Sequence, residues 1–373
     1  MVYSLCYIVP LIVLSLAWVK YKSEITKFEY CVGTIACVMV TLLLVSGTEA
    51  IYRGGVGYDT EIWNGSVISK SSEEVSCEHE YVCGETCTGS GKNRSCSPKY
   101  CDEHSYDVDW IVNTSIGNYV IDRVDRRGLD TPPRFDAVRI GEPVSSENGY
   151  MNYLLLRSDS LFAAQQSLVR VYNDKIPEYP VVYDYYRFNR VFNSTSDDST
   201  GYNEYISSEL RTDGPVHQAN FILFITYLPD EYAHAVIAKW RGAKKNDIIV
   251  FLGLNSSTNT VQWAYANTFG NGVGNELLQT KVLSTAISEK MDLSLLQKVY
   301  KVSMQSYHRY SMEKFAYLLG GIQYPWYLYL LVFIFSTAAS IGIVILLYKH
   351  DLYSTLFNRN KRYNQYQYNR YRR

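Results

Sequence analysis

Three stretches that carry no charged side chain, residues 3–19, 31–47 and 326–348, constrain this chain more than anything else in it. An α-helix rises about 1.5 Å per residue, so the third is long enough for the roughly 30 Å hydrocarbon layer of a bilayer. The first two stand at the short end of that requirement. A secretory signal peptide is the competing reading of the first stretch. It needs basic residues ahead of its apolar core, and Met1 and Val2 supply none. A second apolar stretch also follows at once. The chain is therefore expected to cross a membrane three times.

Lys and Arg gather on the cytoplasmic side of spanning segments. Lys20, Lys22 and Lys27 lie in the short connection between the first two stretches, and Lys349, Arg359, Lys361, Arg362, Arg370, Arg372 and Arg373 follow the third. Both segments are expected in the cytoplasm. The N-terminus and the long middle of the chain are then extracytoplasmic, or periplasmic in a bacterium. The tail is too polar to fold alone, and its Arg359, Lys361, Arg362, Arg370, Arg372 and Arg373 suit an anionic leaflet. Ser336, Ser340, Ala338 and Gly342 in the third stretch permit close helix approach, either to the first two segments or to a second copy in a homo-oligomer. With 36 basic against 37 acidic side chains, no basic surplus points to a nucleic-acid partner.

The expected organisation is a two-helix hairpin (1–47), a Cys-rich β/loop subdomain (48–110), a mixed α/β domain (111–322), a third membrane helix (323–349) and the basic tail (350–373). In the second of these, Cys77, Cys83, Cys87, Cys96 and Cys101 fall close together, with His79 and His104 flanking them. Aliphatic residues are too few there for a core, so in an exported domain the cysteines should staple the segment as disulfides. Five is odd, and one thiol is left free, pairs with another chain or joins a metal site. Zinc is the alternative, because Cys83-x3-Cys87 and Cys96-x4-Cys101 offer two thiolate pairs at structural-zinc spacing. That alternative requires the cluster to be reduced.

Residues 219–253 carry the clearest pattern of the middle region. An apolar and aromatic run, 221–227, is ended by Pro229. Asp230 and Glu231 then suit a helix N-terminus, and Tyr232, Val236 and Trp240 repeat at helical spacing. Gly242 stops the helix, and 248–252 forms a second buried strand. The unit is βαβ, which demands at least a partly parallel sheet. Around it the spacing predicts helices over 152–172, 202–210, 275–290 and 293–319. Strands are expected over 58–65, 67–82, 119–123, 181–192 and 260–267.

The order of elements over 202–290 resembles the TPM-domain family of membrane-anchored α/β domains. The likeness rests on Ala238-Lys239-Trp240 ending a helix, the basic turn Gly242-Ala243-Lys244-Lys245, and Asn246-Asp247 entering a strand. Phe269-Gly270-Asn271-Gly272 stands where that family carries Gly-x-Gly-Leu-Glu-Gly. The Cys-rich part and its Trp63-Asn64-Gly65 turn also look like uncharacterised membrane proteins of tailed bacteriophages. The resemblance implies an auxiliary or assembly role beside a membrane complex, with phosphatase activity or divalent-metal binding in some members. Only Asp230, Glu231 and Asp247 fall where acids could share a strand-end crevice and hold a divalent cation. Capping and turn formation account for the same acids. The chain shows no paired nucleophile and base. The expectation is thus a membrane-anchored extracytoplasmic protein that binds a membrane or extracytoplasmic partner without catalysis. A metal-dependent phosphatase and a virion structural protein are the alternatives.

Overall fold

The computed structural model describes residues 2–22, 25–89, 91, 94–157, 166–195, 198–270, 272 and 274–349. The basic side chains from Arg359 to Arg373 lie outside them. The first elements are α1 (Val2–Lys20), α2 (Lys27–Gly57), β1 (Tyr58–Val75), β2 (Glu80–Thr88), β3 (Ser95–Asp102), β4 (Asp107–Thr114) and β5 (Gly117–Ile121). There follow α3 (Pro133–Ala137), β6 (Pro143–Met151), α4 (Gln166–Tyr172), β7 (Val191–Asn193), α5 (Thr200–His217), β8 (Asn220–Thr226), α6 (Glu231–Lys239) and β9 (Asp247–Leu254). The last described elements are β10 (Val261–Thr268), α7 (Glu276–Ala286), α8 (Leu293–Ser306), a 3-10 helix (Met312–Gly321) and α9 (Trp326–Lys349).

Among the described residues, one compact unit comprises 2–22, 25–58, 151–157 and 316–349. In it α1, α2 and α9 pack on one another. Of these, α2 and α9 are long and apolar enough to cross a membrane. Helix α2 opens with a reciprocal cap: Thr26 N donates to Glu29 Oε2 at 2.9 Å and Glu29 N to Thr26 Oγ1 at 3.3 Å, satisfying two otherwise orphan donors. No helix breaker stands in the polar Glu49–Arg53 segment, which adds an i,i+4 ion pair of 3.3 Å, so α2 runs on past residue 47 to Gly57. Leu14, Ile25, Cys37 and Leu347 are buried together, and the Tyr21 and Tyr348 rings lie 5.0 Å apart. The α1–α2 connection and the C-terminal end of α9 therefore share one end of the bundle. At the other end, Arg53 Nε donates to the Tyr324 hydroxyl at 2.9 Å.

The second unit, 59–150 with 159–315, is mixed α/β and holds two four-stranded sheets. The order in one is β5-β4-β1-β6, and in the other β10-β9-β8-β7. In the latter, β7, β8 and β9 are parallel and β10 is antiparallel. Side chains alternate across its faces as a pleated strand requires. Phe221, Leu223, Ile225, Val250 and Leu252 pack beneath α5, α7 and α8, whereas Ile222, Phe224, Ile249 and Phe251 meet Tyr232, Val236 and Trp240 of α6. Helices cover both faces, which is why residues 221–225 of β8 and 248–252 of β9 form unbroken apolar runs. The expected βαβ unit is present with its expected helix face.

Other expectations are corrected. Residues 58–75 form one 18-residue strand that passes straight through Asn64-Gly65. Ser115 and Ile116 lie where a Cβ at Gly65 would be, so this glycine admits a neighbouring loop rather than making a turn. The alternating run 181–192 is no long strand. Tyr183 and Arg187 exchange backbone hydrogen bonds of 2.9 and 2.8 Å across a tight turn, with Asp184 and Tyr185 at φ of 44° and 71°. Arg134 and Arg187 pair with Asp184 at 2.9 and 3.2 Å and hold that left-handed turn. The helix expected over 293–319 stops at Ser306, because Tyr307 is extended. Of the helix expected over 152–172, residues 158–165 lie outside the described ones and the helix is seen from Gln166 onward.

Candidate functional site

Strands β2 and β3 form a two-stranded hairpin of their own, joined to neither larger sheet. Nearly every residue on both its faces is exposed. A lone hairpin is marginal in water, and here the missing core is replaced covalently. Cys83–Cys101 and Cys87–Cys96 are disulfides. The second links residues directly opposite in the ladder, and the first sits beside a bulge at Val82–Gly84. Four of the five clustered cysteines are thus consumed as disulfides, and zinc bound between Cys83, Cys87, Cys96 and Cys101 is ruled out in this state. Val82 and Tyr100 are large, exposed and directly opposite in the ladder, and exposed Tyr81 faces the other side of the hairpin.

Cys77, the free fifth cysteine, lies at the hairpin's root. There β1 ends at Val75, opposite Asp107 at the start of β4. The outgoing link carries Cys77 and His79, and the returning link carries His104. The donor atoms of Cys77, His79, His104 and Asp107 all lie within 4.8 Å of one another. Asp107 is fully buried, and its Oδ2 accepts the Glu78 N–H at 2.9 Å and an Arg123 contact at 3.1 Å. Its Oδ1 meets His104 Nε2. The Glu78 N–H, with smaller help from His104 and Arg123, holds the Asp107 carboxyl down at about 2 against the opposing effect of burial. His79 Nδ1 is buried 3.5 Å from Asp107 Oδ2 and makes no hydrogen bond among the described residues. The sequence pointed to the odd cysteine and its flanking histidines; it gave no sign of Asp107, a strand-initial aspartate like several others.

The acids singled out for a cation do not converge. Asp230 and Glu231 are exposed beyond the end of β8, and Glu231 opens α6. Asp247 is buried at the start of β9, in register with Asn220 at the start of β8. A parallel crossover leaves one end of a sheet and re-enters at the other, so the length of β8, seven residues or roughly 20 Å, separates the two groups. Asp247 instead accepts hydrogen bonds from Asn220 Nδ2 (2.9 Å), the Lys244 N–H (2.9 Å) and the Tyr179 hydroxyl (2.9 and 3.1 Å). Burial raises its pKa to about 6 against these donors. It fastens a loop and offers no crevice.

A second polar centre joins the two large sheets. Arg190 is buried, and its guanidinium donates to Asn64 Oδ1 and Ser145 Oγ at 2.5 Å and to Ser207 Oγ and Phe188 O at 3.0 Å. A cleft of about 290 Å³ adjoins it. Since these neutral acceptors already occupy the guanidinium's outer nitrogens, the cleft is a weaker site than the hairpin root. Asn246 completes the junction by pairing with Ile62 of β1 through both its amide atoms, at 2.6 and 3.2 Å, as a strand neighbour would. Comparison of the chain with known protein families, curated proteins and solved structures returns no match.

Proposed function

We propose that this chain is a membrane-anchored extracytoplasmic recognition protein, without catalytic activity of its own, whose β2–β3 hairpin contacts a protein partner. The observation that carries the proposal is a hairpin exposed on both faces yet closed by two disulfides. Such an element contributes little to a core. Pre-ordering it removes part of the entropy cost of binding, and exposed Tyr100, opposite exposed Val82, provides broad contact with few rotatable bonds. Disulfides also persist in oxidising compartments, which favours the extracytoplasmic side. Two helices long and apolar enough to cross a membrane, with the shorter α1 packed against them, support the anchored reading. A phosphatase reading finds no support in Asp230, Glu231 and Asp247, which lie at opposite ends of one sheet.

The test uses the full chain in its native membrane, with a photo-crosslinking amino acid at Tyr100 and, as control, at exposed Val120 on β5. A discrete adduct from position 100 and none from 120 is expected. Equal labelling from both positions would remove the hairpin from the proposal. Phosphoester turnover by the purified chain with added divalent metal, abolished by Asp247→Asn, would defeat the non-catalytic reading altogether.

A further inference from the structure

We propose that Cys77, His79, His104 and Asp107 bind one divalent ion of the zinc class, clamping the hairpin to the sheet from which it projects. Four donors of three chemical kinds meet within 4.8 Å. A tetrahedral ion with bonds of about 2.0–2.3 Å sets its ligand atoms roughly 3.5 Å apart, and His79 Nδ1 stands 3.5 Å from Asp107 Oδ2. That imidazole nitrogen is buried and makes no hydrogen bond among the described residues, the arrangement a metal ligand takes before the metal arrives. Thiolate and imidazole donors select zinc-like ions over calcium or magnesium, which take oxygen ligands.

The surroundings fit the charge. Glu78, Asp107 and Asp109 all contact Arg123, at 3.3, 3.1 and 2.6 Å. Three carboxylates against one guanidinium leave an excess of negative charge before the thiol ionises. A supporting shell is also in place: the His79 N–H points to Cys77 Sγ at 3.4 Å, and the Glu78 N–H fixes Asp107 at 2.9 Å. On binding, the Cys77 thiol gives its proton to solvent, and the His104–Asp107 hydrogen bond opens to admit the ion. Four protein ligands leave no open position, so the ion is structural. It ties the outgoing link, Cys77 and His79, to the returning link, His104 and Asp107. This inference stands apart from the recognition proposal, because an ion can bind whether or not the hairpin has a partner.

The test takes the full chain, purified without a polyhistidine tag or reductant so that the disulfides survive, stripped with chelator and titrated with zinc or cobalt ion. One equivalent is expected to bind with proton release, and cobalt to give the absorption of a tetrahedral thiolate complex. Binding should protect Cys77 from alkylation and slow amide exchange over 76–79 and 103–107. Cys77→Ser should abolish the cobalt–sulfur band, and His104→Asn should weaken binding at least tenfold. Should Cys77→Ser misfold, Cys77 protection in the unaltered chain still decides the matter. Absence of stoichiometric binding, binding that leaves Cys77 equally reactive, or recovery of Cys77 as an interchain disulfide would overturn the assignment.

Discussion

Asp247 shows how one side chain can carry meaning that its sequence context hides. Beside Asn246 it reads as turn punctuation or as a cation ligand. In the structure it is a buried carboxyl whose donors, Asn220, Lys244 and Tyr179, come from three different parts of the chain. The Lys244 contact belongs to the local turn, but Asn220 and Tyr179 stand 27 and 68 residues away, beyond the reach of a sequence pattern. Burial raises its pKa from 3.8 to about 6, so the folded state binds the proton more tightly than the unfolded chain. The resulting stabilisation is complete below the unfolded pKa and is lost as pH rises through the folded value. The stability advantage of the native chain over Asp247→Asn is therefore expected to shrink by about 2–3 kcal/mol between about pH 4 and about pH 7. Thermal or denaturant melts at stepped pH, followed by tryptophan fluorescence, read this directly. An advantage that grows with pH would contradict it.

Elements were legible where the chain marks its own boundaries. Pro229, the Tyr232, Val236 and Trp240 stripe and Gly242 delimit α6, and the apolar runs on either side are the central strands. The cysteines likewise announced a stapled segment. What stayed illegible depends on partners distant in sequence. The Asn64-Gly65 pair imitates a hairpin turn and lies within β1 because a neighbouring loop fills the glycine's missing side chain. The hairpin root assembles ligands from two links separated by the whole of β2 and β3. Gly253 has the same character: it sits in an apolar strand, and its reason is across the ladder. Trp263 pairs with it in register, lays its indole over the bare Cα, and donates from Nε1 to Leu228 O at 3.1 Å. A methyl group there would strike the indole ring. Gly253→Ala is expected to destabilise the fold by about 1–3 kcal/mol, the usual range for an overpacked interior, while Gly84→Ala in the open hairpin, where nothing lies near the added carbon, should stay near neutral. Comparative thermal melts of the two variants check the contrast, and equal melting temperatures would show that the indole moves aside at no cost.

At the scale of the whole molecule, the proposed membrane topology rests on two unrelated physical grounds. The first is charge. Lys20 and Lys27 flank the α1–α2 connection, and the ring contact between Tyr21 and Tyr348 brings the end of α9, with Lys349, to the same end of the bundle. Basic residues that converge at one end of a spanning bundle mark its cytoplasmic side. The second is redox chemistry: two disulfides favour an oxidising compartment for the hairpin. The 31 residues of α2 extend about 46 Å, more than the roughly 30 Å hydrocarbon layer requires. An epitope inserted after Gly89 at the hairpin turn is expected to bind antibody on intact cells or spheroplasts. The same epitope at the C-terminus should require permeabilisation. The opposite pattern, or access to both epitopes in intact cells, would refute the proposed topology and with it the extracytoplasmic setting of the proposed recognition hairpin.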